Sequence, residues 1–167
     1  GFFKVPDGLS TTPAMDQCVR IVNMAADAAE PYGITIVLEP VGDPDTLWPL
    51  YVDAVKFAKR IARPNVRCMA DTNYFLRRNE PLEVIKEDPE YCVHADTQGE
   101  GGQPGIGNRV DLHTQFFRVL RDIGYENCVS FACPWLDTSG TGSVDFRMES
   151  RKSLEYAKRI QDEVYSE

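Results

Sequence analysis

Val66-Arg67-Cys68-Met69-Ala70-Asp71 is an almost unbroken apolar run that closes on a carboxylate. Three other runs of the same kind lie on either side of it. Ile34-Thr35-Ile36-Val37-Leu38-Glu39 comes before, and Tyr91-Cys92-Val93-His94 and Asn127-Cys128-Val129-Ser130-Phe131-Ala132 come after. None of them alternates strictly between apolar and polar residues. That is the signature of strands in a parallel sheet covered on both faces. Helical periodicity fills the gaps. Cys18, Ile21, Val22, Ala25, Ala28 and Ala29 recur at spacings of three and four, and Gly33 stops that helix. Leu47, Leu50, Tyr51, Ala54, Val55, Ala58, Ile61 and Ala62 repeat the pattern up to Arg63-Pro64-Asn65. Leu112, Phe116, Val119, Leu120 and Ile123 form a third stripe closed by Gly124, and Leu154, Ala157, Ile160 and Val164 a fourth. Pro81 to Glu87 reads as a short helix. The alternation predicts an α/β fold of right-handed parallel (β/α) units in a single domain over residues 1–167.

Composition narrows the function. Lys and Arg total 18 against 26 Asp and Glu, a net charge of −8 with no basic patch, so a phosphate backbone is repelled and nucleic acid is not expected as a partner. No apolar run reaches the length of a membrane span, and no signal-peptide pattern opens the chain. The first residue is Gly1 and not Met, so a processed, trimmed or excerpted chain is expected. The cysteines (Cys18, Cys68, Cys92, Cys128, Cys133) contain no C-x-x-C pair. They read as small buried hydrophobes in a reducing cytoplasm. Gly99 to Asn108 is rich in glycine but lacks the G-x-G-x-x-G register, and is expected as a mobile loop over a site.

The informative feature is where the ionisable residues fall. The first three runs close on Glu39, Asp71 and His94. In a parallel α/β protein the C-terminal strand ends form the floor of the site, so these side chains are expected on one rim. One Glu at a strand end is ordinarily a cap or a solvated turn. Three consecutive strands ending in Glu, Asp and His match the donors that suit Mn2+, Mg2+, Co2+ or Zn2+.

The words around these residues add a resemblance. ITIVLEP (34–40), VRCMADTNY (66–74) and YCVHADTQGEGGQPGIG (91–107) resemble strands five to seven of the xylose-isomerase-like TIM barrels. The branch is that of the tagatose/psicose 3-epimerases, hydroxypyruvate isomerase and inosose-processing enzymes. The likeness runs over essentially the whole chain and includes Pro104-Gly105 ten and eleven residues after His94. It implies the second half of a TIM barrel, strands five to eight, and a cytoplasmic enzyme of carbohydrate metabolism acting on a small sugar. By the same resemblance Glu39, Asp71 and His94 are three of four metal ligands, and Glu39 is also one of two acid/base carboxylates.

The departures are as specific. Where the family word resembles V-S-I-E-C, this chain has Val129-Ser130-Phe131-Ala132-Cys133, so Ala132 replaces the fourth ligand and second catalytic Glu. Thr97 stands for the Glu three after the His, and Glu100 for a substrate-contacting Arg. Tyr74 occupies a place that is often His. In the family a metal polarises a ketose carbonyl, one Glu removes the neighbouring proton, and the other reprotonates the enediolate. Losing one positioned acid/base group costs about 10² to 10⁴ in rate. An impaired epimerase, a dehydratase or lyase needing one carboxylate, and a non-catalytic sugar-binding relative are the three expectations. The AP-endonuclease relatives on this fold require several His and a basic groove, which two His and the acidic charge oppose.

Glu100, Trp135 and Tyr74 are the expected sugar contacts. Trp135 follows the last strand, where an indole can stack on a sugar ring, whereas Trp48 is at helix spacing and equally suits the core. His113 is expected to face solvent, opposite Leu112 and Phe116. A complete barrel needs roughly 250 residues. The other half is therefore expected from an upstream segment, a partner chain or a second copy, and an isolated monomer is not expected to be stable.

Overall fold

A computed structural model describes residues 4, 6, 8, 10–107 and 109–167. Gly1 to Phe3, where the resemblance begins, and Asn108, which ends the glycine-rich stretch, lie outside the described residues. Helix α1 (Thr11–Ala29) starts at Ser10, whose hydroxyl accepts the Thr12 N–H at 3.3 Å. It buries Cys18, Val22, Ala26 and Ala29. Ile21 and Ala28 from the same periodic pattern are exposed, so the buried stripe is narrower than the sequence implies. A 3-10 turn (Glu30–Tyr32) ends at Gly33, whose φ of 64° is left-handed. Strand β1 (Ile36–Leu38) is three residues of the six expected.

Helix α2 (Tyr51–Ile61) starts four residues after Leu47, where the apolar period begins. Two causes act together. Pro49 lacks a donor and restrains Trp48 before it. The Glu80 carboxylate accepts the N–H groups of Tyr51 at 2.8 Å and Val52 at 3.1 Å, which sets the first turn there. Strand β2 (Val66–Asp71) matches its expected bounds. Helix α3 (Thr72–Arg78) follows it without a break and was not expected. With Phe75 buried and Leu76 exposed, it carries no apolar stripe for periodicity to detect. The expected helix from Pro81 is a 3-10 segment, Leu82–Glu87.

Strand β3 (Cys92–Asp96) runs past His94, because Ala95 and Asp96 pair with Val129 and Ser130. Helix α4 (Val110–Asp122) precedes β4 (Val129–Ser130), which keeps two of the six residues expected from Asn127 to Ala132. Helix α5 (Phe146–Tyr165) is capped by the Asp145 carboxylate, which accepts the Met148 N–H. The sheet order is β1-β2-β3-β4, parallel between β1 and β2 and between β3 and β4.

The described residues form two compact units, Gly1–Ala70 with Tyr74–His94, and Asp71–Asn73 with Ala95–Glu167. The first packs Ala26, Ala54, Ala58, Val66, Cys68, Ala70 and Ile85 at no more than 1% exposure. Salt bridges from Arg60 to Asp16 and from Arg63 to Asp27 and Glu30 tie α2 to the α1 segment. The second unit buries Ala95, Phe116, Val119, Leu120, Ile160 and Val164. There the Arg121 guanidinium donates to the Val164 carbonyl at 2.6 Å, near the end of α5. All five cysteines are free, and Cys18, Cys68 and Cys92 are buried as expected. Cys128 is exposed and Cys133 half-buried, because β4 stops at Ser130 and their run is loop at both ends. No helix among the described residues is long and apolar enough to cross a membrane.

Candidate functional site

Asp71 is the last residue of β2 and is 1% exposed. Its carboxylate is held from two sides in the second unit. The turn into α3 aims the Asn73 N–H at Oδ1, at 2.8 Å. The Gln98 side-chain amide donates to Oδ2 at 3.1 Å. Gln98 is itself placed by the Thr72 hydroxyl, which accepts its backbone N–H at 3.4 Å. Asp96 ends β3, is also buried, and accepts the Ser130 hydroxyl from β4. Cys133 lies near both acids. Burial pushes its thiol above the ordinary range, and the charges of Asp71 and Asp96 push the same way. That thiol is therefore held in its neutral, unreactive form.

The other expected residues occupy varied environments. Glu39 is the first residue after β1, with an exposed side chain, and its backbone carbonyl accepts the Trp48 indole N–H at 3.2 Å. Trp48 is buried and stacks on Phe57 at 4.6 Å, which assigns it to the core. His94 is the middle residue of β3, half-buried, and does not end its strand. The backbone carries pairing two residues further, where the sequence reading stopped at the first ionisable side chain. Tyr74, half-buried on α3, carries the Arg77 guanidinium 5.5 Å from its ring centroid. It also presses on Gly42, where an added Cβ would lie 3.4 Å from the Tyr74 backbone. Trp135 is half-buried beside Phe146 at 6.4 Å. Ala132 is exposed and lies two residues beyond β4, not at its end.

Glu100 is exposed within the glycine-rich loop, whose backbone makes internal hydrogen bonds. Gly99 N–H bonds the Gly102 carbonyl and Glu100 N–H the Ile106 carbonyl, both at 2.9 Å. A Cβ at Gly99 would meet the Gln103 carbonyl oxygen at 2.2 Å, so glycine is required there by the close approach. Gln103 is 1% exposed and exchanges hydrogen bonds with the Leu136 backbone in both directions at 2.9 Å. It also donates to buried Glu149 at 3.0 Å. Thr138 donates to the same carboxylate from its hydroxyl at 2.6 Å.

His113 is 1% exposed, contrary to the expectation of solvent. Its ring nitrogens lie 2.8 Å from the Tyr156 hydroxyl and from the Gln98 carbonyl. The signal was present in the sequence: 113, 116, 117 and 120 follow the i, i+3, i+4, i+7 pattern of one helical face. Gln98, Gln103 and Glu149 offered no comparable signal, because polar residues in loops and on helices are usually solvated.

Carboxylates and imidazole are the donors a divalent ion takes, and the double hydrogen bonding of Asp71 orients it as ligating carboxylates are oriented. Among the described residues, no group of three or more His, Cys, Asp or Glu is gathered that could hold a metal ion. Asp71 fits the chemistry by itself, and the full ligand set remains a proposal.

Comparison with known proteins adds an independent line. Residues 4–160 match the family model described as xylose isomerase-like TIM barrel. An inosose isomerase of Bacillus subtilis strain 168 is 27% identical over 125 residues, which cover 67% of this chain and 44% of that protein. The chain thus spans less than half the length of that relative. Among solved structures, D-psicose 3-epimerase of Clostridium cellulolyticum H10, with D-tagatose, gives a TM-score of 0.79 at 20% identity. It covers 95% of this chain and 61% of that one. The IOLI protein with a bound zinc atom gives 0.71 at 20% identity, covering 98% and 60%. At these identities the structural matches establish fold alone. Together with the family match, the parallel strands alternating with helices show that the chain belongs to the xylose isomerase-like TIM barrel family.

Proposed function

We propose that the chain carries part of a metal-dependent sugar isomerase/epimerase site, which moves a proton next to the carbonyl of a ketose or related small carbohydrate in the cytoplasm. The observation that carries this reading is Asp71, a buried carboxylate at a strand end, held by two N–H donors. The names of the inosose isomerase and psicose epimerase relatives support the reaction class. Glu39, Asp71 and His94 would hold the ion, and the zinc of the IOLI protein supports a divalent one. When bound, such an ion polarises a carbonyl and acidifies the adjacent C–H. Glu39 is the proposed acid/base group, on an exposed residue directly after β1. Tyr74, Glu100 and Trp135 are the proposed sugar contacts. The rest of the barrel comes from an upstream segment, a partner chain or a second copy.

Ala132 favours a second reading. A methyl group cannot reprotonate the opposite face, so the chain runs either one-carboxylate dehydratase or lyase chemistry or sugar binding without turnover. Metal analysis of protein purified without chelator tests the first part. Bound metal that falls sharply in Asp71→Ala is the expected result, and equal, negligible metal in both proteins would refute the site. Ala132→Glu, placed in the full-length barrel, is expected to raise metal affinity and speed exchange of a ketose α-proton with solvent. No change in either would favour the second reading.

A further inference from the structure

Three hydrogen bonds lead from α5 through α4 to Asp71, all within the second unit. His113 on α4 places Nε2 2.8 Å from the Gln98 carbonyl oxygen. A carbonyl only accepts, so Nε2 carries the hydrogen. The neutral ring then offers its lone pair at Nδ1, 2.8 Å from the Tyr156 hydroxyl, which donates. The two rings meet edge to face at 5.5 Å, which fixes the imidazole plane. Gln98 is thereby gripped at both ends of its backbone, its carbonyl by His113 and its N–H by Thr72. Its side-chain amide reaches the Asp71 carboxylate at 3.1 Å.

We propose that His113 is a positioning residue for Asp71, acting through Gln98, with the Gln98 carbonyl fixing the Nε2–H tautomer and the Tyr156 hydroxyl holding the ring at Nδ1. The proposal rests on the reading of Asp71 as a functional carboxylate. It follows from buried geometry: His113 is 1% exposed and both ring nitrogens are engaged. A rotated ring would release the Gln98 carbonyl and the Tyr156 hydroxyl, whereas a charged ring would turn the Tyr156 hydroxyl from donor to acceptor. Groups that orient a ligating carboxylate typically alter metal affinity by about 10–100-fold when removed.

The test uses the whole chain, with Mn2+ as the probe, and reads both affinity and the Gln98 side-chain amide resonances. Nitrogen-15 NMR of the parent protein should show His113 as the Nε2–H tautomer. His113→Asn should displace the Gln98 amide resonances and weaken Mn2+ binding about 10-fold or more. Gln98→Leu should weaken it comparably, and the double variant no further than either single change, because both act along one path. Tyr156→Phe retains the ring and is the control should His113→Asn fold poorly. It should shift the His113 nitrogen signals and weaken binding in the same direction. If Asp71→Asn weakens binding while His113→Asn and Tyr156→Phe leave affinity and the Gln98 resonances unchanged, His113 is a structural staple and the proposal is overturned. If Asp71→Asn itself changes nothing, the proposed function falls, and this inference with it.

Discussion

His113 shows how one residue ties chemistry to burial. Burial pushes its pKa below the ordinary 6.5, the nearby Arg109 charge pushes the same way, and the bond to the Gln98 carbonyl opposes them. The Tyr156 hydroxyl is the other titratable group against the ring. In the unfolded chain the imidazole binds a proton more readily than in the native state. Its contribution to stability is therefore complete above about pH 6.5 and is lost as pH falls toward the depressed native value. Urea unfolding of the parent protein should show a midpoint that drops as pH falls from about 6.5 toward 5, with a shallower drop in His113→Gln. Parallel pH profiles in the two proteins would show that the native ring charges without cost.

At the scale of elements, two fixtures decide local structure from a distance. Glu80 caps α2 from 29 residues away and overrides the helical period that begins at Leu47. Gln103 ties the glycine-rich loop to Leu136 and to Glu149 near the start of α5. Thr138's hydroxyl first, then its backbone N–H, Gln103 and Lys152, hold the Glu149 carboxyl below the usual carboxylate range. Gln103→Ala would remove three hydrogen bonds, two with the Leu136 backbone and one with the buried Glu149 carboxylate. Each unsatisfied buried group costs about 1–3 kcal/mol, so a loss of about 2 kcal/mol is expected after relaxation. In a chain of this size that lowers Tm by roughly 4–8 °C. Calorimetry checks it, and an unchanged Tm would mean the loop is held by its backbone hydrogen bonds alone.

At the scale of the whole molecule, β1 and β4 are the outer strands of the described sheet. Among the described residues β1 pairs with β2 and β4 with β3, and outer strands of a parallel sheet recruit further strands. The chain spans 44% of the inosose isomerase and 61% of the psicose epimerase it matches. Light scattering at micromolar concentration is expected to show a dimer, a larger species or aggregation. An 18.8 kDa monomer with a cooperative melt would show that these four strands stand alone.

Much of the fold was legible in the sequence because it depends on local chemistry. Continuous apolar runs mark buried parallel strands, stripes at three and four mark α1, α2, α4 and α5, and Gly33 and Gly124 mark helix stops. Asp71 was legible too, as the ionisable residue that closes β2. The tertiary structure decided what depends on partners distant in sequence. Pairing of Ala95 and Asp96 carried β3 past His94, and the early end of β4 left Ala132 outside the strand. Burial of His113, Gln103 and Glu149 required hydrogen-bond partners 11 to 46 residues away. No local pattern encodes such partners, because a polar side chain is buried only when the rest of the fold supplies the group that satisfies it.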